Sequence, residues 1–220
     1  MVARLVISPV VPAITNEFAV STGAVGLALS AMWAAYALSQ YPSGILADHF
    51  GERKIILLAV GLTAVASILL AASPTFSVFF LMTVGLGIGA GLHYTVATTF
   101  LAKHFEQVGK AIGVHVAGGP LAGLIAPVAA VAVGVRYGWR SAMVLGALAA
   151  IPVFALFWWQ IERTPVNRTP TNIRSHVDPG TVFGLLNRPE IRHTTILAIG
   201  GAFVWQATAS FLPAFLIIYH

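Results

Sequence analysis

Long stretches without a charged residue constrain this chain more than any other feature of its sequence. Asp, Glu, Lys and Arg are absent between Glu17 and Asp48, Lys54 and Lys103, Lys110 and Arg136, Arg140 and Glu162, and after Arg192. Each gap holds at least one helix of about 20 residues, the length that crosses a hydrocarbon core of about 30 Å. Only 9% of the residues are charged and 58% are hydrophobic, so we expect lipid to surround most of the chain.

These gaps predict six full transmembrane helices. The longest gap contains Ser73-Pro74-Thr75, whose turn chemistry divides it into two spans. Because the runs are apolar on every side and do not alternate, we predict an all-α polytopic bundle and not a membrane β-barrel. The predicted spans are 22–47, 54–72, 76–101, 110–134, 141–161 and 194–218.

A shorter apolar segment, residues 1–14, precedes these spans. As a helix it covers about 21 Å, which is too little to cross a membrane. A cleaved signal peptide is an alternative, but its basic start is the single Arg4 and no small-residue cleavage site follows Ile14. We therefore expect a first helix whose beginning is missing.

The connections between spans are short except for residues 162–193, a stretch rich in Pro, Arg, Thr and Asn. We expect three parts: an amino-terminal bundle over 1–161 with a truncated first helix, a linker over 162–193, and the first helix of a missing second bundle over 194–220. Basic residues are concentrated in 48–54, 102–110 and 162–193. The positive-inside rule makes these loops cytoplasmic in a plasma (inner) membrane protein.

A short internal repeat follows two of the spans. The sequences HFGER at 49–53 and RYGWR at 136–140 both read basic, aromatic, Gly, any residue, Arg. They fall on opposite predicted membrane faces, as an inverted three-plus-three repeat would place them.

The segment 44–54, GILADHFGERK, resembles the signature loop of the major facilitator superfamily: Gly, three residues, Asp, two residues, Gly, then a basic cluster. The resemblance extends over essentially the whole chain and includes Trp139-Arg140 and the Pro-rich linker. It implies a six-helix half of a transporter with an inverted three-plus-three repeat. His49 and Glu52 stand where the family usually has Arg, so the basic cluster is thinner here.

The resemblance also implies that this loop latches one conformation. Asp48 ends its helix, where the dipole disfavours a carboxylate by about 0.3 to 1 kcal/mol unless a partner offsets it. Arg53 is the nearest candidate partner, and a solvated loop acid is the alternative. The expected gate residues are Gly44, Asp48, Gly51, Arg53 and Lys54, the two glycines allowing close helix approach and a tight turn.

Few polar residues lie inside the spans, and these are candidates for a substrate or ion pathway. Arg4 either faces a cavity or snorkels to the surface, because a charge at depth costs about 2.5 to 3.5 kcal/mol. His93 and His115 can bind substrate, relay a proton or bond a neighbouring helix. The resemblance implies that the first, fourth and seventh helices line the cavity. Tyr94, Trp205 and Gln206 are therefore further candidates, and Tyr36 is another, with ordinary packing as the alternative.

Four glycines alternate along one span, at Gly85, Gly87, Gly89 and Gly91. No Lys follows them and they lie in an apolar run, so a phosphate-binding loop is disfavoured. We predict that they allow close contact between helices.

Together these patterns predict a secondary transporter that moves a small solute by alternating access. Its partners would be the lipid bilayer and a small molecule, with proton or ion coupling left open, and no nucleic acid, cofactor or metal is expected. A seven-helix receptor or sensor without transport activity is the alternative. A retinal Schiff base is disfavoured because Lys54, Lys103 and Lys110 all fall in loops. An intramembrane enzyme is disfavoured because no HExxH pair is present.

Overall fold

The computed structural model describes residues 1–162, Gly180, Gly184 and 187–219, with side chains as far as Val204. Within these ranges the chain is helical and contains no strand. The helices are α1 (Val2–Leu5), a 3₁₀ turn (Ser8–Val10), α2 (Val11–Phe18), α3 (Thr22–Phe50), α4 (Glu52–Ala71), α5 (Phe76–His104), α6 (Val108–Tyr137), α7 (Trp139–Gln160) and α8 (Pro189–Tyr219). The predicted all-α class is confirmed, and each of the six predicted spans matches one of α3 to α8 within a few residues.

The amino-terminal segment is helical but interrupted. α1 ends at Leu5, four positions before Pro9. A proline ring clashes with the carbonyl four positions earlier and donates no N–H, which explains the break. Ile7 and Ile14 are fully buried, at 0% exposure. The segment that we expected to be an incomplete transmembrane helix is therefore broken and packs inside the bundle.

Turn residues end the long helices where the sequence predicts. Gly51 (φ 89°) separates α3 from α4, and Gly138 (φ 83°) separates α6 from α7. An L side chain is strained at such angles, whereas glycine is not. Thr75 Oγ1 accepts a hydrogen bond from the Val78 amide at 3.4 Å and caps the start of α5. The predicted division of the longest apolar run at Ser73-Pro74-Thr75 is confirmed.

Large apolar side chains cover the outside of the bundle as well as its interior. On α6, Leu124 is 72% exposed, Val128 is 68% exposed and Val135 is 85% exposed. Such a surface is stable against lipid and unfavourable in water. Within the described ranges, α3 to α7 are five helices long and apolar enough to cross a membrane. The protein is a multi-pass membrane protein.

Glycines on α5 bring its backbone against two neighbouring helices. A Cβ added at Gly87 would overlap the backbone carbonyl group of Met32 on α3, and a Cβ added at Gly91 would overlap that of Tyr36 on the same helix. A Cβ at Gly89 would lie 2.9 Å from a side-chain oxygen of α4. Gly85 meets nothing within 4 Å among the described residues. Three of the four glycines thus make the predicted close helix contacts.

Helices α4 and α7 pack antiparallel, with an arginine at each end of the pair. Arg53, at the start of α4, donates to the carbonyl of Ile161 just beyond α7. Arg140, at the start of α7, donates to the carbonyl of Ala71 at the end of α4. Each arginine stands two positions after a glycine with positive φ. The two copies of the sequence repeat therefore have the same turn conformation, and in each copy the arginine bonds the end of the facing helix.

Helices α1 to α7 belong to one unit, within Met1–Arg168, and α8 belongs to a second, within Thr169–His220. α8 is a single helix of 31 residues that covers the predicted span 194–218.

Candidate functional site

A buried guanidinium lies among aromatic rings where α1 meets α3. Arg4 is only 7% exposed, so it does not snorkel to the surface. Its Cζ atom lies 4.6 Å from the ring centroid of Trp33 and 4.3 Å from that of Tyr36, which is close enough for cation–π attraction. Nη2 donates to the sulfur of Met1 at 2.8 Å. Nε and Nη1 are buried and have no acceptor among the described residues.

A close contact between α1 and α7 holds Arg4 in this position. A Cβ added to Gly146 of α7 would lie 2.7 Å from the Cβ of Ala3. Only glycine leaves room for the backbone of α1 at this point. Because Ala3 is pressed against α7, the neighbouring Arg4 is held within the bundle.

Two histidines and a tyrosine continue the polar cluster on α5 and α6. The ring centroids of His93 and His115 are 5.7 Å apart, and the Tyr94 ring lies 6.2 Å from that of His115. Tyr94 is 42% exposed and both histidines are partly buried, so this side of the cluster opens to the surface. His93 lies about 16 Å from the end of α5 at His104, well inside the membrane-spanning helix.

The structure thus brings together five of the residues that the sequence marks as pathway candidates and adds Trp33 of α3. We name this group the Arg4 cluster; it comprises Arg4, Trp33, Tyr36, His93, Tyr94 and His115. The side chains of Trp205 and Gln206 lie outside the described residues, as does most of the predicted linker. Their roles stay predictions.

The predicted gate residues occupy the turn between α3 and α4. Asp48 is exposed and takes part in neither ion pair of the described chain, so the expected Asp48–Arg53 contact is wrong. Arg53 instead donates through Nε to the Ile161 carbonyl at 2.5 Å and through Nη2 to the Trp158 carbonyl at 2.7 Å. The last carbonyls of a helix lack intrahelical partners and form the negative end of its dipole, which explains why they attract this cation.

The rest of this loop combines a buried acid with an open surface. Glu52, which replaces the usual Arg of the family, is 6% exposed and accepts a hydrogen bond from Lys103 at 2.7 Å. Gly51 forms the predicted tight turn. Gly44 meets nothing within 4 Å, so the close approach expected there does not occur among the described residues. Lys54 is exposed.

A second charged junction joins three helices at the opposite end of the bundle. Glu17 accepts hydrogen bonds from Trp139 and, at 2.6 Å and 3.1 Å, from Arg140. Arg140 also donates to the carbonyls of Ala71 at 2.9 Å and Ser73 at 2.8 Å. The hydrogen bonds from Trp139 and Arg140 hold the pKa of Glu17 below its usual range.

Sequence reasoning did not include this junction among the functional residues. Two signals could have found it. Trp139 and Arg140 form the end of the second copy of the repeat, and Glu17 is the one acid of the sequence predicted on that membrane face.

The geometry is that of a polytopic helical membrane protein with a polar site buried in an apolar bundle. A family model described as Major Facilitator Superfamily matches residues 1–220. The chain belongs to this family, and the resemblance seen in the signature loop is confirmed.

Similar proteins include named bacterial transporters. The chain is 31% identical over 150 residues to a probable sulfoacetate transporter, SauU, of Cupriavidus necator, covering 66% of this chain and 35% of that protein. It is 30% identical over 147 residues to the multidrug resistance protein MdtL of Shewanella oneidensis, covering 66% of this chain and 37% of that protein. The chain therefore spans little more than a third of the length of these curated relatives.

A solved structure has the same fold. The crystal structure of a peptide transporter, POT (E310Q mutant), in complex with sulfate superimposes with a TM-score of 0.65 at 17% sequence identity. The match covers 96% of this chain and 43% of that one. It supports the helical transporter fold and carries no information on substrate.

Proposed function

We propose that the protein is a secondary transporter that moves a small solute by alternating access, with the Arg4 cluster forming part of the substrate pathway. The observation that carries the proposal is the burial of Arg4, two of whose nitrogens lack acceptors among the described residues, in a bundle that is apolar inside and outside. An ionisable residue at membrane depth is costly, so its retention favours a functional role.

The relatives favour transport over the alternatives. SauU is named for sulfoacetate transport and MdtL for multidrug resistance. Neither name points to a receptor, a sensor or a catalyst. A gradient of protons or of another ion would supply the driving force, as in other secondary transporters.

Membrane orientation and domain division complete the proposal. We place the protein in the plasma (inner) membrane with loops 48–54, 102–110 and 162–193 in the cytoplasm. Contacts of Arg53 with the end of α7 and of Lys103 with Glu52 bring loops 48–54 and 102–110 and the end of α7 together at one end of the bundle, in support of a common side. Residues 1–161 would form one bundle, 162–193 a linker, and 194–220 the first helix of a second bundle.

The loop before α4 would serve as the conformational gate. Asp48 is exposed, and the space beside Gly44 is open within the described residues. Both features suit a surface that contacts a second bundle in one conformation. The tie between Arg53 and α7 would keep this surface fixed relative to its own bundle.

Transport can be tested with protein expressed from its intact gene and reconstituted in liposomes. We expect an imposed proton or sodium gradient to drive accumulation of labelled sulfoacetate or of the dye ethidium, and an ionophore to abolish it. Protein-free liposomes are the control. Equal fluxes of both probes with and without protein, under both gradients, would overturn the proposal.

A further inference from the structure

We propose that the Arg4 cluster binds the oxyanion head group of a small organic anion, a carboxylate or sulfonate, through the guanidinium of Arg4. This inference deepens the proposed transport function and rests on it. Nothing in the family membership assigns a substrate class, since the relatives named above differ in what they carry.

The first argument is charge balance. The seven acids of the sequence are Glu17, Asp48, Glu52, Glu106, Glu162, Asp178 and Glu190. None lies within the apolar runs of the sequence, and those that the structure describes fall at helix ends or in connections. Glu17 and Glu52 are already paired with Arg140 and Lys103. The buried charge of Arg4 therefore has no carboxylate counter-ion from its own bundle.

The aromatic rings offset only part of this charge. Cation–π attraction to Trp33 and Tyr36 favours the buried charge. This attraction is weaker than the desolvation cost of a buried ion, which is fully offset only when a counter-ion and hydrogen-bond acceptors compensate it. The ring centroids lie 4.6 Å and 4.3 Å from Cζ, so the two rings help to hold the guanidinium in place. Nε and Nη1 have no acceptor among the described residues and are left for another partner.

The donors of Arg4 suit an oxyanion. Nε and Nη1 have no acceptor among the described residues, and Nη2 donates to the thioether of Met1, a weak acceptor. If the thioether is displaced, either fork of the guanidinium presents two N–H groups to one head group. Such paired, charge-assisted hydrogen bonds are the strong mode of carboxylate recognition and extend to other planar or tetrahedral oxyanions.

The remainder of the cluster provides neutral polar groups beside the anion. His93 and His115 lie with ring centroids 5.7 Å apart, and Tyr94 is next to them and partly exposed. Imidazole and phenol groups can bond the head group or a hydroxyl farther along the solute. A cation would instead meet the uncompensated charge of Arg4 and be repelled.

The test compares isosteric probes on protein from the intact gene in lipid nanodiscs, with tryptophan fluorescence as the readout because Trp33 is in the site. We expect saturable binding of ethanesulfonate and propionate, and at least about tenfold weaker binding of the neutral ethanesulfonamide and propionamide. Arg4→Gln should lose about tenfold or more in anion affinity, and Arg4→Lys should fall between. The control Arg136→Gln, an exposed arginine at the end of α6, should bind as the unmodified protein does.

Each outcome separates the inference from the function on which it rests. Equal binding of anions and amides, or full anion affinity in Arg4→Gln, would overturn the anion site even if dye transport is observed. Selective anion binding without gradient-driven flux would support the site and overturn the transporter. If both Arg4 variants fail to fold, the comparison of anion with amide on the unmodified protein decides alone.

Discussion

Replacing Gly91 with alanine should force α3 and α5 apart beside the Arg4 cluster. The new Cβ would overlap the carbonyl oxygen of Tyr36 and lie 2.9 Å from the Cβ of Ser39. Carbon atoms pack best at about 3.5 to 4.0 Å, so the helices must separate by about 0.5 to 1 Å. Overpacking of this kind costs about 1 to 3 kcal/mol, and the better helix propensity of alanine returns about 0.5 to 1 kcal/mol. We expect a net loss of about 1 to 2 kcal/mol in the free energy of unfolding.

Gly85 provides a matched control on the same helix. A Cβ there meets nothing within 4 Å among the described residues, so Gly85→Ala should stabilise the protein by about 0.5 to 1 kcal/mol. Unfolding in mixed micelles of dodecylmaltoside and sodium dodecyl sulfate, followed by circular dichroism, measures both variants. Anion binding should weaken in Gly91→Ala only, because Tyr36 moves with α3. If the two substitutions change stability equally, the contact does not constrain the helices as argued.

Three further predictions concern charged groups at the two ends of the bundle. Asp48→Asn should slow transport while leaving the thermal stability of the protein unchanged, because Asp48 is exposed and unpaired within the described residues; unchanged transport rates would reject the gate assignment. Lys103→Glu should lower the free energy of unfolding because it places a second carboxylate beside buried Glu52. Adding Glu52→Lys should restore most of that free energy, and denaturation of the single and double variants would measure both effects. The hydrogen bonds from Trp139 and Arg140 lower the pKa of Glu17 in the folded state, so they stabilise the protein fully above the unfolded pKa of about 4.3 and are lost as the pH falls through the lower folded pKa. The stability of Glu17→Gln should therefore depend less on acid pH, and identical acid dependence would contradict the assignment.

The sequence was sufficient to predict the helices, because the signals that define them are local. Charge-free runs set the spans, and Gly51, Gly138 and Ser73-Pro74-Thr75 set the turns between them. The interruption of the first segment was also encoded, in Pro9, but the length and apolar character of residues 1–14 suggested a continuous helix. Local sequence rules therefore predicted the bounds of the long helices more reliably than the interruption of the short first segment.

Contacts between distant residues were harder to predict. Arg53 was assigned to Asp48, five positions away, although it bonds carbonyls at the end of α7, more than a hundred residues later. Spacing along the chain favours the near carboxylate, whereas the unsatisfied carbonyls of a helix end are invisible in sequence. For the same reason Arg4 and His93 could be named as polar residues in apolar runs, but their clustering needed the packing of α1 against α7 and of α3 against α5.

The arginines at the two ends of the α4–α7 pair have a mechanical consequence. If α4 slid along α7 in either direction, Arg53 and Arg140 would both move away from their carbonyl acceptors and the hydrogen bonds at both ends of the pair would break. The pair therefore resists sliding in both directions and should move as one rigid unit. In the proposed transport cycle, rocking of the bundle would leave the register of α4 against α7 unchanged, so bending would have to occur in other helices.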